Sequence, residues 1–168
     1  MKKLFSLLLC SFVLLYSIAL AEDSAYTSYE EYSLNGFSYD IPSALSETFH
    51  AEDSFNLHAI DSAQTITVSY LPFDGLSTIV SSDSIFCDMC SYVYNATFSD
   101  DPSVGLPHLF TPSDGFINAA IITSKNELYY FAATNDVMIM VNTQGYSSSI
   151  DIQLAFMQIV TSLSPTIE

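Results

Sequence analysis

Three short apolar runs and one amphipathic segment between Gly115 and Pro165 constrain the fold of this chain more than any other feature in it. Phe116-Ile117-Asn118-Ala119-Ala120-Ile121-Ile122 is interrupted by Ser124-Lys125-Asn126-Glu127, after which Leu128-Tyr129-Tyr130-Phe131-Ala132-Ala133 resumes. A polar break between two such runs is a hairpin signal. Thr134-Asn135-Asp136 then separates off Val137-Met138-Ile139-Met140-Val141. Runs this short and this apolar suit strands buried on at least one face, so three adjacent antiparallel strands are predicted. Ser147-Ser148-Ser149 supplies N-cap hydroxyls for a helix that must have ended before Pro165. Within it Ile152, Phe156, Ile159 and Leu163 recur at spacings of four, three and four, which makes one apolar face that needs a sheet to cover. Tyr129 and Tyr130 are adjacent in a strand and therefore point to opposite faces; one packs inward and the other is exposed or roofed by a helix.

The front half reads as further strands. Tyr32-Ser33-Leu34 and Phe37-Ser38-Tyr39-Asp40-Ile41 flank Asn35-Gly36, a pair suited to a type I′ turn because both central residues need positive φ. Pro42 ends the second strand, and Ser43-Ala44-Leu45-Ser46-Glu47 suits a single helical turn. Phe55-Asn56-Leu57-His58-Ala59-Ile60 alternates as another strand. A turn at Asp61-Ser62-Ala63-Gln64 leads to Thr65-Ile66-Thr67-Val68-Ser69-Tyr70-Leu71, rich in β-branched residues and stopped by Pro72. From Ser82 the period lengthens to nearly four: Ile85, Met89, Val93 and Ala96 form a stripe with Phe86 and Cys90 beside it, which predicts a middle helix. Residues 99–115 hold three prolines and two glycines and read as a long loop, the first place to look for a ligand site. The expected fold class is α+β, a mostly antiparallel sheet flanked by helices.

Lys2-Lys3, the apolar run Leu4–Ile18 and the small residues of Ala19-Leu20-Ala21 have the layout of a secretory signal peptide over residues 1–21, cleaved after Ala21. The alternative is a retained anchor, since Leu4–Ala21 is just long enough to span a bilayer. Cys10 follows Leu9, where a lipobox needs a small residue, which argues against lipidation. Residues 22–31 are polar and acidic and read as a flexible lead-in, with Tyr26, Tyr29 and Tyr32 at every third position. Residues 32–164 then make a single domain.

Loss of the leader would leave Lys125 alone against 19 acidic residues, with no Arg anywhere. Such a surface repels nucleic-acid phosphates and anionic lipid, so neither is an expected partner, and no membrane contact is expected beyond the leader. It is compatible with cationic ligands, divalent metals or a basic partner protein, and also with plain solubility outside the cell.

The element order, with the stretch Gly36-Phe37-Ser38-Tyr39-Asp40-Ile41-Pro42 and the closing helix ending Ile159-Val160-Thr161-Ser162-Leu163, resembles the PsbP family of photosystem extrinsic proteins and the small exported proteins that share its fold. The likeness covers about residues 30–164. It implies an α/β/α sandwich around an antiparallel sheet and a binding or assembly role more than catalysis. It implies no particular functional residue, because no catalytic or cofactor motif is there to match.

Cys87 and Cys90, in Cys-Asp-Met-Cys, have the spacing of thiol–disulfide oxidoreductases, where a helix N-terminus stabilises the thiolate. Cys87 falls past the expected first turn, Asp88 opposes thiolate formation, and no βαβ unit surrounds the pair. A local disulfide or two unreactive thiols are the other readings. Asp74, Asp100, Asp101 and Asp114 lie in loops and could supply oxygen ligands to calcium, though the alternating-acid loop is absent and a solvated acidic face explains them equally. His50, His58 and His108 lack ligand spacing and read as surface or satisfied histidines. Asn95-Ala96-Thr97 matches the glycosylation acceptor. The five glycines make no phosphate cradle, and no nucleophile elbow assembles a triad. The expected function is an exported, acidic, non-enzymatic module that binds a protein or small ligand, without a required cofactor. A redox enzyme using Cys87 and Cys90, or a calcium-binding domain, is the alternative.

Overall fold

The computed structural model describes residues 28–46, 49–73, 76, 80–98, 105–124, 127–146 and 149–166. The leader, most of the lead-in, Asp74, Asp100, Asp101 and Lys125 lie outside the described residues. In chain order the elements are β1 (Tyr29–Leu34), β2 (Phe37–Pro42), α1 (Ser43–Ser46), β3 (His50–Ala51), β4 (Phe55–Asp61), β5 (Gln64–Pro72) and α2 (Asp83–Phe98). There follow β6 (His108–Phe110), β7 (Asn118–Thr123), β8 (Glu127–Ala133), β9 (Val137–Gln144), α3 (Ile150–Ser162) and β10 (Ser164–Pro165). A seven-stranded antiparallel sheet runs β3-β4-β5-β9-β8-β7-β6, and a three-stranded one runs β1-β2-β10. The fold is α+β.

Strict alternation along the central strands divides the large sheet between two cores. Ile66 and Val68 of β5, Ile139 and Val141 of β9, Tyr130 and Ala132 of β8 and Ala119 of β7 face α3 and the β1–β2 hairpin. Met138 and Met140, Tyr129, Phe131 and Ala133, Ala120 and Ile122 face α2 together with Leu76 and Val80. Adjacent tyrosines 129 and 130 are both fully buried, one in each core. The sheet is therefore roofed on both faces.

Helix α3 lies as its spacing predicts. Ile152, Phe156 and Ile159 are fully buried and Leu163, just past the last turn, nearly so. Each contributes roughly 1.5–3 kcal/mol by leaving water. Ser149 is the N-cap, its Oγ accepting from the Ile152 N–H at 3.4 Å. After Ser162 the chain turns extended, and Ser164 and Pro165 pair with Ser38 and Phe37 as β10. The Asp40 N–H donates to Ser162 Oγ at 2.8 Å, fastening the hairpin to the helix. At the hairpin tip Asn35 and Gly36 have φ of +48° and +83°, the left-handed pair that a type I′ turn requires.

Three local expectations need correction. First, β1 begins at Tyr29, so Tyr29, Glu30 and Glu31 belong to a strand paired with Pro42, Ile41 and Asp40, not to a lead-in. Second, α2 is rotated from the expected stripe. Ile85 and Ala96 are exposed and Phe86, Cys90, Val93 and Tyr94 are buried, because the bulkier rings fill the space over Ala120 and Tyr129. Third, the 99–115 stretch contains β6, paired with β7 through Leu109↔Ala120.

Strand β4 shows a less obvious inversion. Its ladder with β5 matches Asp61 to Gln64 but Ala59 to Thr65, so Ile60 is a β-bulge. An unbroken register would put Phe55, Leu57 and Ala59 on the Ile66/Val68 face. The extra residue instead puts Asn56 and His58 there, opposite Val68 and Ile66, and both are buried. Phe55, Leu57 and Ala59 occupy the other face and are only half-buried.

Candidate functional site

The two thiols sit one turn apart on α2. Cys87 is half-buried and Cys90 fully buried, and both are free. Burial pushes the Cys87 thiol up, and the carboxylates of Asp83 and Asp88 push it further; burial, then the neighbouring Cys87, raises Cys90 strongly. Both therefore favour the thiol over the nucleophilic thiolate. Cys90 packs in the α2 core and Ser91 Oγ donates to the Cys87 carbonyl at 3.0 Å.

Of the four aspartates considered for calcium, Asp114 is described, exposed in the turn before Gly115. Among the described residues no three His, Cys, Asp or Glu side chains are grouped to hold a metal ion. Nor is any described helix long and apolar enough to cross a membrane. The histidines separate into two kinds. His108 is exposed on β6, and His50 is exposed on β3 beside Glu52 at 3.4 Å. His58 is fully buried.

His58 belongs to a polar network set inside the hairpin-side core. Tyr39 Oη lies 2.8 Å from His58 Nε2, and Asn56 Nδ2 donates to the same oxygen at 2.8 Å and to the Ser33 carbonyl at 3.1 Å. Burial without a charged partner holds His58 down at about 4, so the imidazole is neutral near pH 7, and burial pushes the Tyr39 phenol up. The strand pattern alone conceals this network, because the bulge at Ile60 that creates it depends on pairing with β5. The network binds β2 to β4.

The two edges of the large sheet differ. At one, β3 is two residues long and followed by Glu52 and Asp53, the short form with charges beside it in which edges are usually blunted. At the other, the run Leu106-Pro107-His108-Leu109-Phe110 lies along β7, its start held by the Gly105 N–H to the Thr123 carbonyl at 3.1 Å. Leu106, Leu109 and Phe110 are 79%, 46% and 44% exposed. Leu109 shares the α2 face with Ala120, whereas Phe110 shares the other face and meets the Tyr130 ring edge-on at 6.2 Å. Beside this run a crevice of about 190 Å³ opens between α2 and β7, lined by Ser91, Tyr94, Asn95, Gly105, Leu106 and Ile122.

No protein-family model matches this chain, and no curated protein matches it. Outer-edge backbone, apolar side chains on both faces and an adjoining crevice are the parts that recognition by strand addition uses: ladder bonds for affinity and a recess for side-chain choice. The stretch 99–115, expected as a loop, thus supplies the edge, and neither Cys87 nor Cys90 lines the crevice beside it.

Proposed function

We propose that this protein is an exported, non-enzymatic interaction module that receives an extended, basic segment of a partner protein along β6. The observation that carries the reading is the exposure of Leu106, Leu109 and Phe110 on a sheet edge whose described run, 105–110, holds no Asp, Glu, Lys or Arg, unlike the β3 edge beside Glu52 and Asp53. Charge selects the partner: the chain carries a net charge of −16, and residues 99–115 include Asp100, Asp101 and Asp114 with no Lys or Arg. A cationic strand is drawn to this edge and an acidic one is repelled. The leader-like residues 1–21 support export, and the PsbP-like element order supports a binding role.

The test is a titration of the protein with a labelled peptide of about ten residues alternating Lys and Val, followed by anisotropy at low and high salt. Saturable binding is expected, weakened by salt and abolished by the pair Leu109→Lys and Phe110→Lys. Equal binding of a Glu/Val peptide, or undiminished binding by the double variant, would refute the reading.

A further inference from the structure

Side chains from three directions close over His58. Tyr32 of β1 meets the imidazole edge-on with centroids 4.9 Å apart, and Tyr39 of β2 meets it at 5.8 Å and 87°. Phe49 lies over it at 5.0 Å and 27°, and Tyr32 and Phe49 touch each other at 4.7 Å. Because Asn56 donates to the Tyr39 oxygen, the phenol's own hydrogen is directed to His58 Nε2, which assigns the neutral ring's proton to Nδ1. That Nδ1 is buried and has no hydrogen-bond partner among the described residues.

We infer that His58 is a proton-operated latch: a second ring proton opens the cover formed by Tyr32, α1 and Phe49, admitting water to the imidazolium while the seven-stranded sheet stays closed. An imidazolium donates from both nitrogens. Tyr39 can accept from Nε2 only by turning its own hydrogen away from the imidazole, and among the described residues Nδ1 faces no acceptor. Among the described residues the groups facing the ring are Tyr32, Tyr39, Asn56 and Phe49, and burial holds its affinity for a second proton down. Glu30 and Ser46 interact with the Tyr32 hydroxyl instead, and Glu52 is paired with His50. The stacked Phe49 ring offers the cation a partial, partly solvated partner in place of its lost hydration.

Relief comes at the cover because the cover is the thin side. Phe49 is 38% exposed, Tyr32 is half-buried, α1 has four residues and β3 two. Strand β4 behind the ring is paired along its length with β5, itself paired with β9. A closed-state value of about 4 against the ordinary 6.5 makes opening roughly twentyfold more favourable at about pH 5 than at about pH 7.

The experiment is hydrogen exchange on the full chain near pH 7 and near pH 5, corrected for the intrinsic pH dependence of exchange, read in residues 29–46 and 127–144. The expected result is exchange about twentyfold faster at acid pH in the first segment, unchanged in the second, with the acid response lost in His58→Gln. Uniform acceleration, or the same response in folded His58→Gln, would overturn the latch. Should that variant not fold, NMR titration of the His58 ring in the natural sequence decides. Exchange rising with His58 protonation supports the latch, and exchange rising while the ring stays neutral overturns it.

Discussion

His58 stands opposite Ile66 across the β4–β5 ladder, on the side of the sheet where an unbroken register would have put Ala59. One bulged residue, Ile60, thus exchanges an apolar side for a polar one, and the core accepts it because Tyr39 reaches across from the hairpin to bond both His58 and Asn56.

Tyr39→Phe should therefore cost far more than its single oxygen suggests. Two buried polar groups lose their shared partner, and each unsatisfied group costs about 1–3 kcal/mol. The Tyr130 hydroxyl, buried beside Ser113 without a well-formed hydrogen bond, is the contrast. Denaturant unfolding should show Tyr39→Phe destabilised by about 2 kcal/mol or more and Tyr130→Phe within about 0.5 kcal/mol of the natural chain.

Stability should fall in mild acid. With its cover closed, the folded state refuses a proton at His58 down to about pH 4, whereas the unfolded chain takes it near 6.5, so below 6.5 the unfolded state binds more protons than the closed one. The stabilisation is full above about pH 6.5, declines toward about pH 4 and is level below, with roughly 3 kcal/mol at stake in all. Urea midpoints across this range check it, and His58→Gln should flatten this share of the slope.

Helix α3 offers a two-sided test. Phe156→Ala opens the sheet-facing core and should cost about 3–5 kcal/mol, while Leu154→Ala, 44% exposed on the outer side, should change stability by less than about 1 kcal/mol. Thermal melts of both variants make the comparison.

The thiols should be poor nucleophiles in the folded protein. Intact-mass analysis after iodoacetamide near neutral pH should find Cys90 unmodified and Cys87 slow, with both alkylated once guanidinium unfolds the chain.

Local pattern carried most of the fold. The I′ turn at Asn35-Gly36, the runs that became β7, β8 and β9, and the four-residue face of α3 are written in short-range spacing, which the backbone obeys directly. What stayed hidden depends on partners distant in sequence. The facing of Asn56 and His58 is set by a bulge that exists only when β4 meets β5. The side of α2 that turns inward is chosen by the sheet beneath it, where Tyr94 meets Tyr129 edge-on at 4.8 Å. Strand β6 was obscured because Pro107 and its neighbours read as a loop, and only pairing with β7 straightens three of them into an edge.

The most direct test of the β6 account is hydrogen exchange of the full chain with and without the Lys/Val peptide. Strand addition predicts new protection confined to residues 105–110, with the β3 edge at residues 50–51 and the outer side of α3 unchanged. Protection at either of those places with none at 105–110, or no change at saturating peptide, would contradict it.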